Sequence, residues 1–178
     1  LGVTISYDTY AAAEDVQALA PDVVVIATGG LPQAPPLEAG ADLVTTSWDI
    51  LSGEARPSGR VLVYDDHGGH AGLSAAEVLS GKVDLEIVTP ERMFAPEIGG
   101  LNHVPYMAAF HRAGVRITTQ HRLQSVRRAG NRLVAVLGSD FAPGATEEHE
   151  VDMVVAEHGT APLDELYVAL KPLSRNLG

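Results

Sequence analysis

The chain has 178 residues, 46% of them apolar, with a formal net charge of −11 and no cysteine. That is enough chain for one sizeable core or two small domains, and too apolar for a disordered segment. No apolar run approaches the ~20 residues that span a bilayer. A surplus of acid repels phosphate backbones, so nucleic acid is not an expected partner, and the charge reads as a solvated surface. Without cysteine the chain holds neither a disulfide nor a thiolate-bound iron–sulfur cluster, and it fits a reducing cytoplasm.

The opening LGVTISYDTY carries no Met and no basic stretch, so no signal peptide is read. Leu1 and Gly178 both fall in mid-pattern, which suggests a piece of a longer protein. Val3–Tyr7 alternates and predicts a short strand. Ala11–Ala20 predicts a helix capped by Thr9 and stopped by Pro21. Asp22–Gly30, DVVVIATGG, is a continuous apolar run closing on two glycines, the pattern of a strand buried on both faces. Pro32, Pro35 and Pro36 then break regular structure. Asp42–Leu51 predicts a short strand and a helical turn with Ser47 as N-cap and Trp48 packing.

From Arg60 the pattern restarts. RVLVYDD predicts a strand, Leu73–Ser80 lies in a helix, and Asp84–Pro90 is the next strand. Asn102–Ala113 predicts a helix stopped by Gly114, followed by a strand over Val115–Gln120. Two alternating runs flank the turn dipeptide Gly130–Asn131, and a third edge around Glu147–Glu150 completes an antiparallel meander. Val151–Gly159 is a buried strand ending in glycine, and Leu163–Lys171 a short amphipathic helix.

PDVVVIATGG and VDMVVAEHGT share one pattern, an acid-led apolar strand closing on glycine with a proline close behind. They bracket everything between them. The fold class expected is therefore α/β: a Rossmann-like parallel sheet with an antiparallel meander, inserted into a partial second α/β domain. The outer domain would comprise residues 1–32 and 157–178, the crossover 33–41, and the inserted domain 42–156.

This order of ATGG, Pro-rich crossover, strand, Gly turn, helix, meander and VVAEHG resembles the flavin/pyridine-nucleotide disulfide-reductase-like module. More closely it resembles the C-terminal region of the NADH:flavin oxidoreductases that include 2,4-dienoyl-CoA reductase and trimethylamine dehydrogenase. The segments VTPERMFAPEIGGLN, AEHGTAPLDELYVALKPLSRNLG and YDDHGGHAGLSAAE are most similar to the trimethylamine-dehydrogenase branch. The resemblance implies a longer enzyme with FMN in a (β/α)8 barrel and a 4Fe-4S cluster, both outside this chain. It implies a place for FAD or ADP in the outer domain, near Ala27, Thr28, Gly29, Gly30 and Gly159. It also implies as partners the rest of the same polypeptide and an electron-transfer flavoprotein that accepts the electrons.

The turn after Arg60–Asp66 bears on NAD(P)H. Laid on Gly-x-Gly-x-x-Gly, Gly69 and Gly72 take the second and third positions, and His67 takes the first, beside Gly68. A side chain there hinders the tight turn that brings backbone N–H groups to a diphosphate. Asp65 and Asp66 set negative charge beside the helix N-terminus, where an anion would bind. Two unit charges ~5 Å apart cost about 3 kcal/mol at an effective dielectric of ~20. The next strand ends at Val88 without the acid that grips a ribose. NAD(P)H is therefore disfavoured here; the bland alternative makes Asp and His water-facing turn residues, with His67 capping backbone groups.

His67, His70, Asp65 and Asp66 lack the further ligands a metal site needs, so none is assigned. Ser74 is not on a Gly-x-Ser-x-Gly elbow, and no catalytic residue is assigned. His158 lies at a strand end, either lining a nucleotide crevice or satisfied at the junction of domains. Three functions stay open: a portion of an amine dehydrogenase or demethylase-like electron-transfer flavoenzyme, a working NAD(P)H-binding domain, and a non-catalytic module for interaction or homodimer contact.

Overall fold

A computed structural model describes residues 2–175. The chain divides into two compact units, one of residues 1–31 and 160–178, the other of residues 32–159.

The larger unit is built on a parallel sheet. Its strands are β2 (Thr45–Thr46), β3 (Arg60–Asp65), β4 (Asp84–Val88), β5 (Arg116–Thr118) and β9 (Met153–Glu157), in the order β2-β9-β3-β4-β5. Parallel strands buried on both faces read as unbroken apolar runs, which explains VLVY and MVVA. Helices α2 (Ser47–Ser52), α3 (His70–Leu79) and α4 (Gly100–Ala113) complete this layer. Val61, Val63, Ile87 and Val155 form one core with Leu73, Ala76 and Phe110. The other core holds Leu62, Tyr64, Val88 and Val154 with Leu123, Ala135, Leu137 and Val151. These last come from the antiparallel meander β6 (Arg122–Ala129), β7 (Arg132–Gly138) and β8 (Thr146–Val151) and its edge. Each fully buried Val or Leu contributes ~1.5–3 kcal/mol, so the two cores dominate the unit's stability.

Local chemistry fixes the boundaries. The hydroxyl of Thr46 accepts from the Asp49 N–H and the Asp49 carboxylate accepts from the Thr46 N–H, so Thr46 is the N-cap of α2. Ser47, expected in that role, sits one residue inside the helix and is buried. Gly114 ends α4 in the left-handed conformation, φ 69°. The crossover residues belong with this unit: the Glu38 N–H donates to the Gln124 carbonyl, and Ala39 bridges Ser125.

The smaller unit holds α1 (Ala13–Ala18), α5 (Glu165–Leu170) and the two-stranded pair β1 (Gly30–Pro32) with β10 (Thr160–Pro162). Here two expectations fail. Val3–Tyr7 and Asp22–Gly29 are not strands. A strand exists only as part of a ladder that takes its N–H and C=O groups. Among the described residues no strand pairs with either run, and Val25 is 86% exposed. The first helix is also shorter than expected: its N-cap is Ala12, while the Thr9 hydroxyl donates to the Tyr7 carbonyl. No helix among the described residues is long and apolar enough to cross a membrane.

Candidate functional site

In the larger unit, the connection from β3 through α3 leads to β4 on one side, while β9 lies on the other. The carboxyl ends of β3 and β9 therefore flank the point where strand order reverses, the usual ligand crevice of an open α/β sheet. Their last residues, Asp65 and Glu157, are register partners. Around them gather His67, Gly68, Gly69, Gly72, His158 and Gly159.

Asp65 is 2% exposed. Its Oδ1 accepts from the backbone N–H groups of His67 (3.0 Å) and Gly68 (2.8 Å). Burial pushes its pKa up to about 6; the two N–H donors oppose this, and the charges of Glu157 and Asp66 add to it. The other carboxylate oxygen lies against α3: a Cβ on Gly72 would stand 2.5 Å from it. The bare Cα of Gly72 is thus taken up by the Asp65 side chain. Gly68, at φ 68°, turns the chain beneath Pro96, whose Cδ would be 2.7 Å from a Cβ there.

Glu157 is buried too, at 4% exposure. It accepts from the Ser47 hydroxyl and from the Gly159 N–H (3.0 Å). Asp66 faces His158, whose Nδ1 lies 2.6 and 2.7 Å from the two carboxylate oxygens. Beneath them burial, and next the Asp66 charge, raise the pKa of the Tyr64 phenol beyond its ordinary range. The exposed His67 ring packs between glycines: Cδ2 would be 3.1 Å from a Cβ on Gly69, and Nδ1 3.6 Å from one on Gly159.

Two expectations are corrected by this geometry. His67 does not cap the backbone and Asp65 is not water-facing; the Asp65 carboxylate does the capping. Nor are the two acids bare charges: Asp65 is held by two N–H groups and Asp66 by an imidazole. His67 and His70 do not converge, since His70 reaches toward the Tyr106 hydroxyl, 3.5 Å away. β4 ends at Val88 as expected, with exposed Glu91 beyond it. The sequence reading missed Ser47 and Glu157, whose link depends on strand register between residues 110 apart.

Ala27, Thr28, Gly29 and Gly30 lie in the smaller unit. The Thr28 hydroxyl donates to the Leu163 carbonyl, and the Leu163 N–H donates to Gly29. A Cβ on Gly30 would lie 2.4 Å from the Ala161 carbonyl oxygen. These contacts make a tight strand crossing; they leave no free side-chain donor for a phosphate.

The architecture defines the class: a dinucleotide-binding type of domain with a parallel sheet and meander. An HOCl-induced flavoprotein disulfide reductase from Escherichia coli shares that fold alone, at TM-score 0.59 and 17% identity over 79% of this chain and 31% of its own. No protein-family model matches the chain. Along its whole length it is 51% identical to a probable N-methylproline demethylase of Rhizobium meliloti (strain 1021). It is 40% identical to an N,N-dimethylglycine/sarcosine dehydrogenase of Chromohalobacter salexigens. A 2-naphthoyl-CoA reductase structure superposes with TM-score 0.76 at 26% identity, covering 95% of this chain and 25% of that one. The chain spans about a quarter of the length of these relatives, 26% and 27%. It belongs to the NADH:flavin oxidoreductases, as a C-terminal FAD/NAD(P)-binding-like region.

Proposed function

We propose that this chain is the nucleotide-domain portion of a flavin-dependent oxidoreductase of the amine demethylase or dehydrogenase kind, and that its β3–α3 turn is structural. The names of the two relatives support the reaction class. The observation that carries the reading of the turn is the crevice itself. The exposed His67 ring lies over Gly69 and Gly159, Asp65 holds the His67 and Gly68 N–H groups, and Asp66 and His158 satisfy each other beside them. A diphosphate running over the turn would have to displace that ring and face the Asp66 carboxylate.

In the complete enzyme, FMN and a 4Fe-4S cluster would lie in other parts of the polypeptide, and a protein acceptor such as an electron-transfer flavoprotein would take the electrons. That arrangement removes the need for NAD(P)H at this turn. The side chains at the β3–α3 turn argue against NAD(P)H, while FAD or ADP would lie in the smaller unit near Ala27–Gly30. The chain then acts by holding the surrounding polypeptide in place, in a cytoplasmic enzyme. Calorimetric titration of the chain with NADH and with NADPH tests this. No saturable heat is expected with either; micromolar binding of one would favour the rival reading, a working NAD(P)H domain.

A further inference from the structure

We propose that the Asp65 carboxylate is the built-in anion of the β3–α3 turn, and that this residue decides which ligands the fold rejects. The inference deepens the reading above and rests on it. His67 is the more visible obstacle, but its ring is exposed and can swing into water at little cost. Asp65 cannot leave so easily. It is buried at the strand end, at the point in the sheet where a ligand's anion is ordinarily received. Its Oδ1 takes the backbone N–H groups of His67 and Gly68, the kind of donor a diphosphate requires. Its Oδ2 fills the space that glycine leaves at position 72.

Its neighbours do not share this role. Glu157 is occupied by Ser47 and Gly159, and Asp66 by His158. Asp65 alone turns its charge onto the turn. A ligand anion would have to break two charge-assisted hydrogen bonds and then sit beside a carboxylate that no longer has them. The glycines of this turn therefore accommodate an internal anion where a ligand's anion would otherwise sit.

Calorimetric titration of the chain with inorganic pyrophosphate, and then ADP, tests this on three variants. Wild type and His67→Gly are expected to give no saturable heat. Asp65→Gly is expected to gain pyrophosphate affinity by about tenfold or more, the worth of one charge-assisted bond. Asp65→Asn keeps an acceptor on both N–H groups and should stay silent. The proposal is overturned if Asp65→Gly, folded by circular dichroism and Trp48 fluorescence, gains nothing, or if His67→Gly gains as much. Should Asp65→Gly not fold, amide proton resonances decide. Those of His67 and Gly68 should shift together on passing from wild type to Asp65→Asn, as the charge on their shared acceptor is removed, and insensitivity of both would overturn the claim. A silent Asp65→Gly with a silent wild type removes only the role of Asp65; NADH binding to the wild type would remove the functional reading as well.

Discussion

PDVVVIATGG and VDMVVAEHGT carry nearly one pattern and meet opposite fates. In the second, Val154, Val155 and Ala156 pair with β3 and β2; Val155 lies in one core, Val154 in the other, and Ala156 is buried beside them. In the first, Val23 and Val25 stand in the open, and among the described residues no ladder forms over Asp22–Gly29. The difference is not propensity, because both runs are rich in valine. It lies in whether neighbouring strands and covering layers exist within the same unit. An apolar run states a demand for burial; the surrounding chain decides whether the demand is met.

The largest effect that would break this comparison is a charge placed at corresponding points of the two runs. Val155→Asp puts an unpaired carboxylate between α3 and the sheet, and should cost about 4–5 kcal/mol or more. Val25→Asp touches nothing buried and should stay within about 0.5 kcal/mol. Urea unfolding followed by far-ultraviolet circular dichroism, which registers the helices of both units, measures both. Equal loss in the two variants would show that Asp22–Gly29 is buried in solution, contrary to the structure.

The same contrast explains what could be read from sequence. The larger unit was legible nearly throughout, because β3, β4 and the hairpin at Gly130–Asn131 carry their own turn signals and complete one another's ladders. The early strands were misread because periodicity registers the need for burial and is blind to partners. At the site, the glycine turn and both histidines were visible, but the role of Asp65 was not. An acid after an apolar strand looks solvent-facing, and only the fold shows that its oxygens turn back onto residues two and three positions on. That spacing, an Asp with N–H groups at i+2 and i+3, is the signal that could have been used. The link between Ser47 and Glu157 leaves no local trace at all.

The buried carboxyl at the end of β3 makes stability depend on pH in the larger unit. Asp65 has a folded-state pKa of about 6, raised from 3.8. The folded chain thus binds more protons than the unfolded one between these values, so stability falls as pH rises through that window. Below pH 4 the penalty is absent; above about pH 6 it is fully present, on the order of 2–3 kcal/mol. Asp65→Asn should remove this slope. The stability of wild type minus that of the variant, from urea unfolding between pH 4 and pH 7, should decline as pH increases. A flat difference would mean that burial does not strain the Asp65 charge.

The smallest effect concerns how the first helix of each unit starts. Thr46 offers α2 a hydroxyl that accepts from the Asp49 N–H, 3.2 Å away, and contacts the Asp49 carboxylate at 2.8 Å. Ala12 offers α1 no side-chain acceptor, although Asp15 reaches back to its N–H at 3.0 Å. Thr46→Ala should therefore cost about 1 kcal/mol. The loss should appear in the Trp48 transition, since Trp48 lies in the first turn of α2. Ala12→Ser supplies the missing acceptor and should raise helicity by circular dichroism while leaving the Trp48 transition where it was. If that transition moved with Ala12→Ser, the two units would unfold as one, and the contrast in their stability would vanish.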